Sequence, residues 1–221
     1  KMNTSNFYTY QPDILGNGYQ QLTLNFADDY DGKVVATLVR KKAAQATKKA
    51  VLYVHGFADY FFQKEMAEQF NQHGYDFYAL DLRKYGRSKL PHQTLYYVRD
   101  LREYDAEISK SLEIISQENH NQVLLAGHST GGLITTLYAA HYPDHRLVKA
   151  LWANSPFYDF FKSIIEKKVG IPLLSEFGKR FPNAKFPSGL NPWYVPSLHK
   201  KFHGEWEFNL EWKPESMPFV Q

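Results

Sequence analysis

Ser129 stands in the stretch "VLLAGHSTGGLITTLYAAHY", Val123 to Tyr142, with Gly127 two residues before it and Gly131 two residues after. The pattern fits G-x-S-x-G and falls where an apolar run changes into a helical repeat, the strand-to-helix junction that this motif requires. A sharp turn there would raise the hydroxyl clear of a sheet and make it a nucleophile toward a carbonyl carbon. Such a turn drives the serine toward positive φ and crowds it against neighbouring segments, so Gly127 and Gly131 supply room. The helix beginning at Thr130 aims its free N–H groups and positive dipole end at any oxyanion formed in front of it. A second stretch, "VHGFADY" from Val54 to Tyr60, bends at Gly56 after an earlier apolar run.

The elements that must hold these residues alternate. "AVLYVHG", Ala50 to Gly56, is a continuous apolar run of the kind that forms a strand buried on both faces. Phe62, Met66 and Phe70 then recur every four residues, predicting an amphipathic helix closed by Gly74. "YDFYALDLR" reads as a strand, and Leu101, Tyr104, Ile108, Leu112 and Ile115 step by three and four along a second helix. "NQVLLAGHS" is a strand, "TGGLITTLYAAHYP" a helix stopped before Pro143, and "VKALWANSP" one more strand. Ahead of all these, residues 19–42 predict a hairpin around an Asp31-Gly32 turn. The fold class expected is α/β, with a mostly parallel sheet and helices on both faces. From Phe157 the rhythm breaks. "FYDFFKSIIEKKVG" predicts a helix, and prolines at 172, 182, 187, 192 and 196 predict an irregular aromatic segment beyond it. The expected division is residues 1–155 as core and 156–221 as a cap or lid.

Composition narrows the chemistry. The chain has 221 residues, a formal net charge of +3 and 43% hydrophobic residues, a globular balance whose scattered basic residues do not imply nucleic acid. It has no cysteine, hence no thiolate nucleophile, disulfide or thiolate metal site. No histidine pair has the spacing of a zinc site, and "LGNGYQ" lacks both the helix and the lysine of a phosphate loop. Neither a metal nor a cofactor is expected. With no long apolar run and no secretory segment at the start, the cytoplasm is the default expectation.

Taken in order, "VHGFADY", "LDLRKYGRS" and "GHSTGG" resemble the α/β-hydrolase superfamily, above all its bacterial lysophospholipase and monoacylglycerol lipase branch, which carries a helical cap. The resemblance covers Leu22 to about Pro156, with looser likeness in "HGEWEFNLEWKP". It implies Ser129 as nucleophile and the backbone N–H groups of Phe57 and Thr130 as oxyanion donors. It also implies a small-molecule or lipid acyl ester as substrate, with transient contact at a membrane surface through the lid. One departure stands out: Lys84 occupies a glycine position of the usual D-x-R-G-x-G-x-S loop.

Such a serine needs a histidine base and a carboxylate, and in this superfamily chain order is Ser, acid, His. Both are expected beyond Gln221, in roughly 60 further residues that two more strand–helix units would occupy. Asp159 with His199 or His203 offers the same order within the chain, but both histidines fall in the charged stretch "PSLHKKFHGEW", where surface solvation is the expectation. Phe157, Tyr158, Phe160 and Phe161 could line an acyl pocket or simply pack. A non-catalytic ligand-binding protein on the same scaffold, or a peptidase or acyltransferase, would share these features. Epoxide hydrolases usually carry aspartate at the elbow, so Ser129 argues against that chemistry. Acyl length, head group and oligomeric state are not readable.

Overall fold

Apolar runs become the inner strands of one sheet. A computed structural model describes residues 8–159, 166–181, 184, 186–187, 191–214 and 219–220. It divides into two units, Lys1–Tyr158 and Asp159–Gln221. The first unit contains β1 (Gln11–Pro12), β2 (Gln20–Asp29), β3 (Gly32–Lys41), β4 (Lys49–Val54), β5 (Asp76–Asp81), β6 (Gln122–His128) and β7 (Val148–Asn154) in the order β1-β2-β3-β5-β4-β6-β7. The sheet is mixed: β5, β4, β6 and β7 run parallel, and the amino-terminal hairpin adds antiparallel pairs on the β5 side. Its turn is Tyr30-Asp31, and Gly32, at φ 90°, opens β3.

Three helices connect the parallel strands: α1 (Lys64–Gln72), α2 (Asp105–Gln117) and α3 (Thr130–His141). The chain steps from β4 to β5 in one direction and from β5 to β6 to β7 in the other. Right-handed crossovers therefore put α1 on one face and α2 and α3 on the opposite face. Val51 and Tyr53 of β4, Phe77 and Ala79 of β5 and Ala126 of β6 pack with Ala67, Met66 and Phe70 of α1. Ile108, Leu112 and Ile115 of α2 are buried as the three-and-four spacing predicts. Each large apolar side chain so buried contributes about 1.5–3 kcal/mol. Gly74, at φ 76°, sends its N–H to Asn71 O at 3.0 Å and ends the first helical segment.

The second unit holds α4 (Ile171–Arg180) and α5 (Tyr194–Leu198), with Phe186–Pro187 paired to Phe219–Val220. The proline-rich reading missed α4. Pro172 lies in its first turn, where a missing N–H costs nothing, so this proline starts a helix rather than breaking one. Of the helix expected over 157–170, residues 157–159 are not helical, and residues 160–165, Phe160 and Phe161 among them, lie outside the described residues. Its tail, Glu166–Gly170, is a π-helical turn leading into α4.

Candidate active site

β4 and β6 lie side by side, yet their chains depart to opposite faces, β4 toward α1 and β6 toward α3. The carboxyl ends of strands that part in this way open a crevice, the general ligand position in an α/β sheet. Val54 pairs in register with Gly127. The segments that follow, His55-Gly56-Phe57 and His128-Ser129-Thr130, therefore emerge together at that crevice. A methyl group placed on Gly56 would sit 3.1 Å from Ser129 Cβ and 3.6 Å from its Oγ.

Ser129 has φ 53° and ψ −121°, a conformation that costs a non-glycine residue about 1–3 kcal/mol. Surrounding bonds hold it there. Its N–H donates to Asn154 O at 3.1 Å, and its carbonyl accepts from Gly132 N at 2.9 Å and Phe157 N at 2.9 Å. Asn154 O also accepts from His128 Nδ1 at 3.1 Å, which turns that imidazole to the end of β7. A side chain on Gly127 would collide with the Gly131 carbonyl, and one on Gly131 with the carbonyls of Val54 and His55. Among the described residues the Ser129 hydroxyl has no hydrogen-bond partner, and the N–H groups of Phe57 and Thr130 donate to no acceptor.

The loop holding Phe57 is fixed from behind. Leu82 N–H donates to His55 Nε2 at 3.1 Å, so the ring proton is on Nδ1, which donates to Gly56 O at 2.8 Å. Phe61 N–H donates to Asp81 Oδ1 at 2.9 Å, and Arg87 joins Asp81 to the Phe61 carbonyl through Nη1. Asp59 is buried in this loop. Burial, and then the Asp59 carboxylate, push the Tyr96 phenol up to about 12, so it stays protonated at neutral pH. Burial likewise pushes Glu107 up to about 7 against the pull of the Arg83 guanidinium, its partner.

The other histidines do not approach Ser129 through a hydrogen bond. His120 is buried between Ile115 O at 3.0 Å and Asp76 Oδ2 at 2.9 Å, and His141 Nδ1 lies 2.7 Å from Asp105 Oδ2. His199 corrects the expectation of a solvated side chain. It is buried, its Nδ1 accepts the Lys201 N–H at 3.0 Å and its Nε2 donates to Phe208 O at 2.9 Å. A tight turn between Leu198 and Gly204 brings the Lys201 N–H to the ring, and the Phe208 carbonyl reaches it from beyond that turn, which the charged sequence concealed. With both nitrogens bound inside its own unit, His199 has no lone pair to offer as a base. His203 is exposed, in a left-handed conformation at φ 70°. No group of three or more histidines, cysteines or carboxylates that could hold a metal occurs among the described residues. Sequence reasoning missed Asn154 and Phe157 as backbone clamps on the serine, and Tyr96 and Tyr85 as the packing behind Phe57 and His55 respectively.

Residues 45–201 match the family model described as Hydrolase_4, serine aminopeptidase, S33. Epoxide hydrolase 4 of Mus musculus is 29% identical over 147 residues, 66% of this chain and 39% of that protein. The probable lysophospholipase L2 of Haemophilus influenzae is 31% identical over 137 residues, 61% of this chain and 43% of that protein. The chain thus spans about two fifths of the length of these curated relatives. The monoacylglycerol lipase of Paleococcus ferrophilus shares the fold, with a TM-score of 0.57 at 23% identity over 83% of this chain and 65% of that one.

Proposed function

Because the chain belongs to the serine aminopeptidase S33 family of hydrolases, we propose that Ser129 is the nucleophile of a serine ester hydrolase acting on acyl esters such as monoacylglycerols or lysophospholipids. The observation that carries this reading is the strained serine at φ 53°, its hydroxyl unpartnered, beside a glycine loop at the β4–β6 crevice. Ser129 Oγ attacks the ester carbonyl carbon and the C=O π electrons move to oxygen. The N–H groups of Phe57 and Thr130 receive that oxyanion, and losing one such donor costs about 3–4 kcal/mol of barrier. Collapse expels the glycerol or glycerophospholipid alkoxide, and water then releases the acyl group from Ser129. A base must take the serine proton, and among the described residues of the unit holding Ser129 no histidine is hydrogen-bonded to it.

Epoxide opening does not suit a serine nucleophile. A carboxylate opens an epoxide to an ester that water can cleave, whereas a serine would form an ether and stay blocked. The family description favours one second reading, amide hydrolysis by the same nucleophile. The test is fluorophosphonate labelling of the full-length protein, with turnover of p-nitrophenyl acyl esters and aminoacyl-p-nitroanilides. We expect labelling and ester turnover, both lost in Ser129→Ala. Labelling that persists in the variant sinks the assignment; anilide turnover alone selects the peptidase; ligand binding with neither turnover selects a non-catalytic binder.

A further inference from the structure

Two non-glycine residues of the loop after β5, Lys84 at φ 65° and Tyr96 at φ 60°, hold left-handed backbone. They are joined: Tyr96 N–H donates to Lys84 O at 3.3 Å. Each is strained there and persists only where its surroundings over-determine it. For Lys84 the surroundings are explicit. Its side chain is fully buried, with Nζ 2.9 Å from Asp29 Oδ2 and 2.8 Å from Asp31 Oδ2 at the tip of the β2–β3 hairpin. The ammonium also lies 4.3 Å from the Tyr30 ring centre. Asp31 Oδ2 accepts Thr94 N–H at 3.3 Å as well, which ties the far end of the same loop to the same carboxylate.

What this anchored loop presents is Tyr96. Its buried ring meets the Phe57 ring edge to face at 5.5 Å and the Tyr85 ring at 4.7 Å, and Tyr85 in turn meets His55 at 4.8 Å. The two residues flanking Gly56 are therefore both backed by tyrosines of one loop. Phe57 is 37% exposed, and among the described residues Tyr96 is the one aromatic ring it meets. We infer that Tyr96 is a positioning residue for the oxyanion hole: through the Phe57 ring it sets where the Phe57 N–H points, and the Lys84–Asp29–Asp31 cluster holds Tyr96 in place. This rests on the hydrolase reading above, and it gives the lysine at a glycine position a reason. A glycine would adopt φ 65° without strain, but only a long cation reaches both hairpin carboxylates.

The test is a double-mutant cycle on acyl-ester hydrolysis by the full-length protein, using Phe57→Ala, Tyr96→Ala and both together. Phe57→Ala keeps the backbone donor and removes the ring. Each single variant should lower kcat about tenfold or more with KM little changed, since displacing a group by about 1 Å can cost a hundredfold. The double variant should lose no more than the larger single loss, because both remove one contact. Tyr96→Phe, which keeps the ring, should restore kcat to within about twofold, and Tyr96→Leu serves if the alanine variant does not fold. Additive losses, or a loss of folded protein with unchanged kcat per active site, overturn the inference while leaving Ser129 in place. Turnover surviving Ser129→Ala overturns both. Where no turnover is measurable, amide exchange is read instead: Tyr96→Ala should speed exchange at residues 56–58 and not at Thr130, and unchanged exchange there overturns the inference.

Discussion

Ser129 lies where three segments meet, and its φ of 53° is sustained by the carbonyl of Asn154, the N–H of Phe157 and two glycines with no space for a side chain. Strain of this kind is local, so its consequences can be tested one atom at a time. Gly131→Ala would drive a methyl group into the Val54 and His55 carbonyls, which are backbone and cannot rotate away. We expect a loss of about 1–3 kcal/mol in urea unfolding, with slower Ser129 labelling in whatever folds. A variant as stable and as reactive as the parent would show that the elbow relaxes freely. The serine and its glycines were legible as a pattern because the turn demands those residue types. Asn154 and Phe157 were not, since they act through backbone atoms that every residue carries.

At the level of elements, β7 is the exposed member. β6 covers one of its edges; among the described residues no strand pairs with the other. Leu151 and Trp152 are 40% and 39% exposed, although Trp152 still packs on Phe70 of α1 at 5.9 Å between rings. An apolar parallel strand with an open edge is a template for pairing with other chains. Leu151→Lys in this 221-residue chain should therefore lower light scattering at a given concentration while leaving the far-ultraviolet spectrum unchanged. Scattering that does not fall would place self-association elsewhere. The alternation of apolar runs and helical repeats made β4, β5, β6, β7 and all three intervening helices readable to within a few residues. Helix α4 escaped because a count of prolines carries no information on where in a turn each one falls, and Pro172 sits where it does no harm.

In the first unit, buried polar groups gather at both ends of the parallel strands. The crevice with Ser129 lies at the carboxyl ends of the parallel strands, and a buried ionic cluster lies at their amino ends. There Glu118 accepts from Tyr10 and Tyr78 at 2.7 and 2.6 Å and pairs with Arg40 at 2.8 Å. Asp76 pairs with His120 at 2.9 Å and Lys42 at 3.3 Å. Burial works to raise the Asp76 pKa, but hydrogen bonds from His120 and the Ala43 N–H, with Lys42 nearby, hold it below the ordinary value. A carboxylate depressed in the folded state stabilises fully above the unfolded value of about 3.9, and that contribution is lost as pH falls through the lower folded value. Asp76→Asn should thus cost about 1–3 kcal/mol near neutral pH. The difference from the parent should shrink below about pH 4, and Ser129 labelling should not change. A constant difference down to pH 2 would assign the loss to packing instead. The α/β class, the strand-to-helix turn at Ser129 and the glycine loop could be read from the chain alone, because each depends on residue types at short spacing. That both His199 nitrogens are spent within its own unit, that Lys84 reaches two hairpin carboxylates, and that Tyr96 backs Phe57 came only with folding. Those facts depend on which atoms meet across dozens of residues, and no local pattern encodes such meetings.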